Sequence, residues 1–124
     1  MKAYLIYIIL ATSLLTSCLR NYDEAYFEVV NNSTAKIDSL VILNMDNDEL
    51  NLKSPYSLKP NESKEIIINM TNTGGDGDYL IKYKIEEKWY NQRFGYYTNG
   101  SQMEKLITIE IESADSLTFD YQLN

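Results

Sequence analysis

A chain of 124 residues with a formal net charge of −7, no histidine and one cysteine has room for one domain and little more. Its acidic balance opposes phosphate backbones and anionic head groups, so no nucleic-acid partner is expected. Without histidine there is no Ser-His-Asp or Cys-His catalysis, and most zinc sites are ruled out.

The chain opens with a positive Met1-Lys2 and an apolar stretch from Ala3 to Leu15. That stretch has the length of a secretory core and falls short of the ~20 apolar residues that span a bilayer as a helix. Small residues Thr16 and Ser17 then precede Cys18. The run Leu15-Thr16-Ser17-Cys18 resembles the lipobox of bacterial lipoproteins of the Bacteroidota type, which are cut just before a cysteine that carries a diacylglyceryl group. The resemblance implies a type II signal peptide over residues 1–17, lipidation of Cys18, and anchoring to the outer membrane in either leaflet. An ordinary cleaved leader would instead leave an unpaired thiol on an exported chain. Two acyl chains make a stable anchor where one is marginal, at about 0.8 kcal/mol per buried CH₂.

Residues 18–25 read as a lipidated tether and residues 26–124 as a β-sandwich domain. Seven extended residues after Cys18 reach about 23–25 Å, enough to clear the head groups. Asp23 and Glu24 resemble the acidic export signal of the same lipoproteins, set further from the cysteine than is usual. With Cys18 lipidated no disulfide is possible, so burial alone must offset an ordering cost of about 1–2 kcal/mol per residue.

Short β-rich runs follow, separated by turn residues: 26–30, 37–45, a weak 50–52, 65–70, 79–85, 89–97, 106–111 and 117–121. Asn31-Asn32-Ser33, Asp46-Asn47-Asp48 and Lys59-Pro60-Asn61-Glu62 supply turns, and Thr71 to Gly77 a glycine-rich loop. Tyr79, Ile81, Tyr83 and Ile85 alternate with Leu80, Lys82, Lys84 and Glu86; Ile107, Ile109 and Ile111 alternate with Thr108, Glu110 and Glu112. A period of two predicts strands. Seven to eight of them predict an all-β antiparallel sandwich, immunoglobulin-like or transthyretin-like, after an N-terminal signal helix.

Asn99-Gly100 is the strongest hairpin signal, because a type I′ turn needs positive φ at both central residues. It pairs Thr98 with Ser101, and extending that register sets Tyr97 against Gln102, Tyr96 against Met103, Phe94 against Lys105, Arg93 against Leu106, Tyr90 against Ile109 and Trp89 against Glu110. A second two-residue turn at Glu86-Glu87 sets Tyr83 against Tyr90 and Tyr79 against Phe94. The expected inner face is Tyr79, Ile81, Tyr83, Tyr90, Phe94, Tyr96, Met103, Ile107, Ile109 and Ile111. The outer face then holds Leu80, Lys84, Trp89, Arg93 and Leu106, a candidate partner-binding patch, with Trp89 in cation–π reach of Lys84. Trp89 and Tyr97, both pointing outward, lie about 27 Å apart, too far for one small-glycan platform.

Other constellations have plainer readings. Asp46-Asn47-Asp48-Glu49 and Gly74-Gly75-Asp76-Gly77-Asp78 offer oxygens to calcium without EF-hand spacing, and turn chemistry accounts for both. Glu86-Glu87 and Glu110/Glu112 are carboxylate pairs without the enclosed cleft a glycosidase needs. No metal or cofactor is expected. Asp38-Ser39-Leu40 and Asp115-Ser116-Leu117 resemble the O-glycosylation motif of Bacteroidota exported proteins. The stretch Phe94-Gly95-Tyr96-Tyr97-Thr98-Asn99-Gly100, with Ile107-Thr108-Ile109, resembles the C-terminal half of small lipoproteins of that group that carry no assigned activity. The expectation is a non-enzymatic, membrane-anchored module that contacts a protein or glycan partner in the cell envelope. Its rivals are an inhibitor or immunity-type lipoprotein with Thr71–Asp78 as plug and, more remotely, a small hydrolase.

Overall fold

The computed structural model describes residues 23–44 and 55–123. The leader, Cys18, the strand expected at 50–52 and the acidic loop 46–49 lie outside them. The described chain forms nine strands: β1 (Glu24–Asn31), β2 (Ile37–Asn44), β3 (Tyr56–Leu58), β4 (Ser63–Asn69), β5 (Gly77–Ile85), β6 (Lys88–Thr98), β7 (Ser101–Gln102), β8 (Leu106–Ser113) and β9 (Ser116–Gln122). They make two sheets, ordered β4-β1-β8-β9 and β3-β2-β5-β6-β7. The inward rows of both join one core, where Phe27 of β1 meets Tyr79 of β5 edge-on at 4.9 Å. The arrangement is all-β and sandwich-like.

Alternation explains the layering. In β1, Ala25, Phe27, Val29 and Asn31 are buried while Glu24, Tyr26, Glu28 and Val30 are half-buried on the far side. In β8, Ile107, Ile109 and Ile111 are fully buried. Branched and aromatic side chains at every second position bury one face of each strand, at about 1.5–3 kcal/mol per large side chain. Tyr83 extends this packing with a polar contact. Its hydroxyl donates to the Ala114 carbonyl at 2.7 Å, tying β5 to the β8–β9 turn. Burial, with Tyr90 and Asp115 nearby, pushes its pKa up.

Four expectations are corrected. β1 begins at Glu24 and Ala25 is fully buried, so the last two tether residues belong to the sheet. β1 runs parallel to β8, pairing Phe27 with Ile107, so the sheets are not wholly antiparallel. β3 forms between two prolines, Pro55 and Pro60, where the turn residues had masked a strand. The fourth correction concerns the Asn99-Gly100 hairpin. Its turn forms as expected, with φ of 49° and 71°, but pairing ends after Thr98–Ser101 and Tyr97–Gln102. The chain bends at Met103-Glu104-Lys105 and enters the other sheet, where β8 pairs with β1 and β9.

Gln102 holds that crossing. Its side-chain amide accepts from Tyr26 N–H at 2.8 Å and donates to Tyr26 C=O at 3.1 Å. A side chain from one sheet thus acts as a strand partner for the backbone of the other. On the far side of the sandwich, Asn31 is satisfied in the same spirit. Its Oδ1 accepts from the Ser33 N–H and hydroxyl, and its Nδ2 donates to the carbonyls of Ala35 and Leu58. Buried amides with all partners in place fix the β1–β2 connection against β3.

Candidate binding face

The β5–β6 hairpin turns on Glu86 and Glu87, both at positive φ (49° and 65°). This is the type I′ geometry, adopted here by two non-glycine residues at a steric cost of about 1–2 kcal/mol each. The turn sets the register: Lys84 faces Trp89, Tyr83 faces Tyr90, Leu80 faces Arg93 and Tyr79 faces Phe94. With Tyr79, Ile81, Tyr83 and Ile85 in the core, Leu80, Lys82 and Lys84 point outward. β2 adds a third strand on the other side, with Ser39 beside Lys84 and Val41 beside Lys82.

Four of the five expected patch residues therefore share one face, as the pairs Lys84–Trp89 and Leu80–Arg93 with Lys82–Asn91 between them. Trp89 is 55% exposed, the most exposed aromatic ring of the sheet. Lys84 is half-buried and its ammonium sits 3.0 Å from Glu87 Oε2, so it engages that turn carboxylate rather than the Trp89 ring. Arg93 is held more loosely, with Nη1 3.8 Å from Asp78 Oδ2. The ring over which a turn lysine lies is Tyr90, with Lys88 Nζ 5.4 Å from its centroid. Lys82, exposed between Val41 and Asn91, completes a row of cations on this face. Its alternation with Ile81 and Tyr83 is the sequence signal that places it there.

Leu106 does not belong to this face. It opens β8 in the four-stranded sheet, where with Glu28 and Glu65 it lines a hollow of about 250 Å³. Glu110 leaves with it. Both were expected here only if the Asn99-Gly100 hairpin continued beyond the two pairs that it makes.

Tyr96 and Tyr97 exchange places relative to expectation. Tyr79 pairs with Phe94 but Gly77 pairs with Tyr97, so β6 carries one extra residue between them. Gly95 sits in that bulge at φ 61°, and a Cβ there would come within 3.0 Å of Ile107 and Tyr79. The extra residue reverses the alternation: Tyr97 is fully buried, Tyr96 is 48% exposed, and Met103, expected inside, is 50% exposed. An isolated glycine within a strand pattern is the signal that marks such a bulge. Trp89 and Tyr96 are about 23 Å apart along the strand, so this outward pair is also too widely spaced for one small-glycan platform.

The glycine-rich loop is tied to the Asn99-Gly100 turn. Gly100 N–H donates to Gly75 C=O at 2.8 Å, and Asn99 N–H donates to Asp76 Oδ1 at 3.0 Å. That Asn99 bond, then the Tyr96 hydroxyl and Thr98, hold the Asp76 carboxyl below its ordinary pKa. Asp76 and Asp78 thus serve Asn99 and Arg93, and no group of three or more metal-ligating acids, cysteines or histidines gathers among the described residues. Ser39 lies half-buried within β2, whereas Ser116 is exposed at the start of β9.

No protein-family model, curated protein or solved structure matches the chain.

Proposed function

We propose that this chain is a non-catalytic lipoprotein of the cell envelope, anchored through Cys18, whose domain captures a protein or glycan partner on the outward face of β2, β5 and β6. The observation that carries this reading is the Lys84–Trp89 pair, an exposed indole beside a cation, with Leu80 and Arg93 paired on the same face. Trp and Arg are the residues that most often dominate binding energy at interfaces, and they do so when a partner buries them. The carboxylate pairs considered for hydrolysis lie on an exposed turn and on an outward strand row, which suits solvation better than acid–base work. An immunoglobulin-like or transthyretin-like relationship is the finer form of the fold reading.

Substituting Trp89→Ala and Lys84→Glu tests the face. The expected result is loss of partner capture from detergent-solubilised envelope, or loss of glycan-array signal, with an unchanged melting temperature. Undiminished capture by both variants refutes the face. The anchor has its own test: a Cys18→Ala protein that still sediments with membranes overturns it. The rival plug reading rests on residues 71–78, and their bonds to the Asn99-Gly100 turn mean that deleting the loop would damage the sheet. A Gly74→Trp change at its exposed tip is the cleaner probe, because it blocks a plug and leaves the β6 face intact.

A further inference from the structure

β6 is eleven residues long, and its second neighbour covers little of it. β5 pairs along one side, while β7 reaches only Tyr97 and Thr98 on the other. Among the described residues, the stretch from Trp89 to Phe94 is an open sheet edge. The turn decides which backbone groups face outward from it. In a two-residue hairpin the residues flanking the turn form a hydrogen-bonded pair, and the pattern then alternates. Ile85–Lys88, Tyr83–Tyr90 and Ile81–Gln92 thus exchange their bonds inside the hairpin. The N–H and C=O groups of Trp89, Asn91 and Arg93 point out of the edge, a ready template for another strand. The core row beside the edge is uncovered as well. Gln92 faces Ile81 in an inward position yet is exposed, and Tyr90 is half-buried.

We propose that this edge pairs with β6 of a second copy, antiparallel about a two-fold axis through Asn91. In that register Asn91 meets Asn91, and Trp89 meets Arg93 of the other copy twice over. Every outward-pointing N–H and C=O of the three residues then finds a partner, because each such pair exchanges two bonds. On the outer face each Trp89 ring lies beside a guanidinium, a favourable cation–π pairing of opposite electrostatic character. On the inner face Tyr90 of one copy covers Gln92 of the other. Shifting the register by two residues sets Trp89 against Gly95, where the bulge breaks pairing, and forfeits the ring contacts. The edge is thus self-complementary, as an isologous two-fold contact requires. The proposal does not rest on the partner-binding reading of the face.

An Asn91→Cys variant of the full-length chain tests it. A hydrogen-bonded antiparallel pair holds its Cα atoms about 5.5 Å apart, within disulfide range. With Cys18→Ala in every protein to remove the second thiol, mild oxidation should give a covalent dimer from this variant and none from Lys82→Cys. Asn91→Pro removes only an edge-facing N–H, as an edge strand tolerates. It should abolish the dimer in sedimentation, with a cooperative melt at a temperature that no longer depends on protein concentration. The proposal is overturned if Asn91→Cys stays monomeric or cross-links to a different protein, or if a folded Asn91→Pro protein remains dimeric. Partner capture is read with Lys84→Glu, a β5 residue outside the proposed dimer pairs, and dimer loss with Asn91→Pro, so the two proposals fail separately.

Discussion

Along the outward rows of the five-stranded sheet, Val41, Leu80, Lys82, Lys84, Trp89 and Arg93 alternate with core residues, whereas the four-stranded sheet presents Glu24, Glu28, Glu65, Glu110, Glu112 and Asp120 in the equivalent positions. The outward strand positions of that second sheet carry no lysine or arginine. Glu28 even stands directly across from Glu65, a like-charge pair that costs stability rather than adding to it. A net charge of −7 therefore describes neither face: the acid is concentrated on one sheet, and the cations cluster with Trp89 on the other. The repulsion of anionic partners expected from the net charge would come chiefly from the four-stranded face. Local fields steer partners: the four-stranded face is acidic throughout its outward rows, whereas on the five-stranded face Glu87 and Asp78 offset Lys84 and Arg93, leaving a mixed field around Trp89.

Gly95→Ala gives the largest expected effect on this contrast, since it strikes the bulge that orients the far end of β6. A left-handed backbone costs a side chain about 1–2 kcal/mol, and crowding against Ile107 and Tyr79 adds about 1–3 kcal/mol. Chemical denaturation should show a loss of that combined order. Little change would mean that the β6 face does not depend on the bulge. Next comes the turn. Replacing Glu86 by Asn and Glu87 by Gly relieves positive-φ strain and should stabilise the hairpin by about 1–3 kcal/mol. The same change strips Lys84 of its carboxylate and makes the five-stranded face more basic.

A smaller gain, about 0.2–1 kcal/mol, is expected from Glu65→Lys, which turns a repulsive cross-strand pair with Glu28 into an attractive one. Raised salt should shrink that gain, because both groups are near solvent. The smallest effect belongs to Asp76. Its pKa is depressed in the fold, so its contribution is present above the unfolded carboxyl pKa, about 4, and is lost as pH falls through the folded value. An Asp76→Ala protein should lose less melting temperature than the wild type across that acid range. Parallel curves would show that its bond to Asn99 contributes nothing.

How much of this was legible depended on the distance over which each residue acts. The β5–β6 register and the Asn99-Gly100 turn are local, governed by two-residue turn chemistry, and both form as expected. Each strand's inward row was legible where no insertion interrupts it, as in Ile107, Ile109 and Ile111. The exchange of Tyr96 and Tyr97 escaped because one extra residue reverses every later side chain, although Gly95 marked the spot. The loss of Leu106 from the patch had another cause. Alternation gives a strand's faces but not its neighbour, and nothing in Ile107-Thr108-Ile109 names Phe27 as its parallel partner. The lipid anchor proposed at Cys18 rests on the resemblance of the leader, and Cys18 lies outside the described residues.

The position of β1 has a mechanical consequence. The first strand among the described residues, β1, lies in the middle of its sheet, paired with β4 on one side and parallel to β8 on the other. Tension entering through the N-terminal chain would pull β1 along its own axis. Its hydrogen bonds to both neighbours would then bear load together instead of opening one by one from an end. The Gln102 amide on Tyr26 would be among the first bonds to feel the pull. Resistance to such a pull is set by the rate of unfolding rather than by equilibrium stability. Under the proposed anchoring at Cys18, this strand order would suit a domain that holds its fold while the proposed face is engaged.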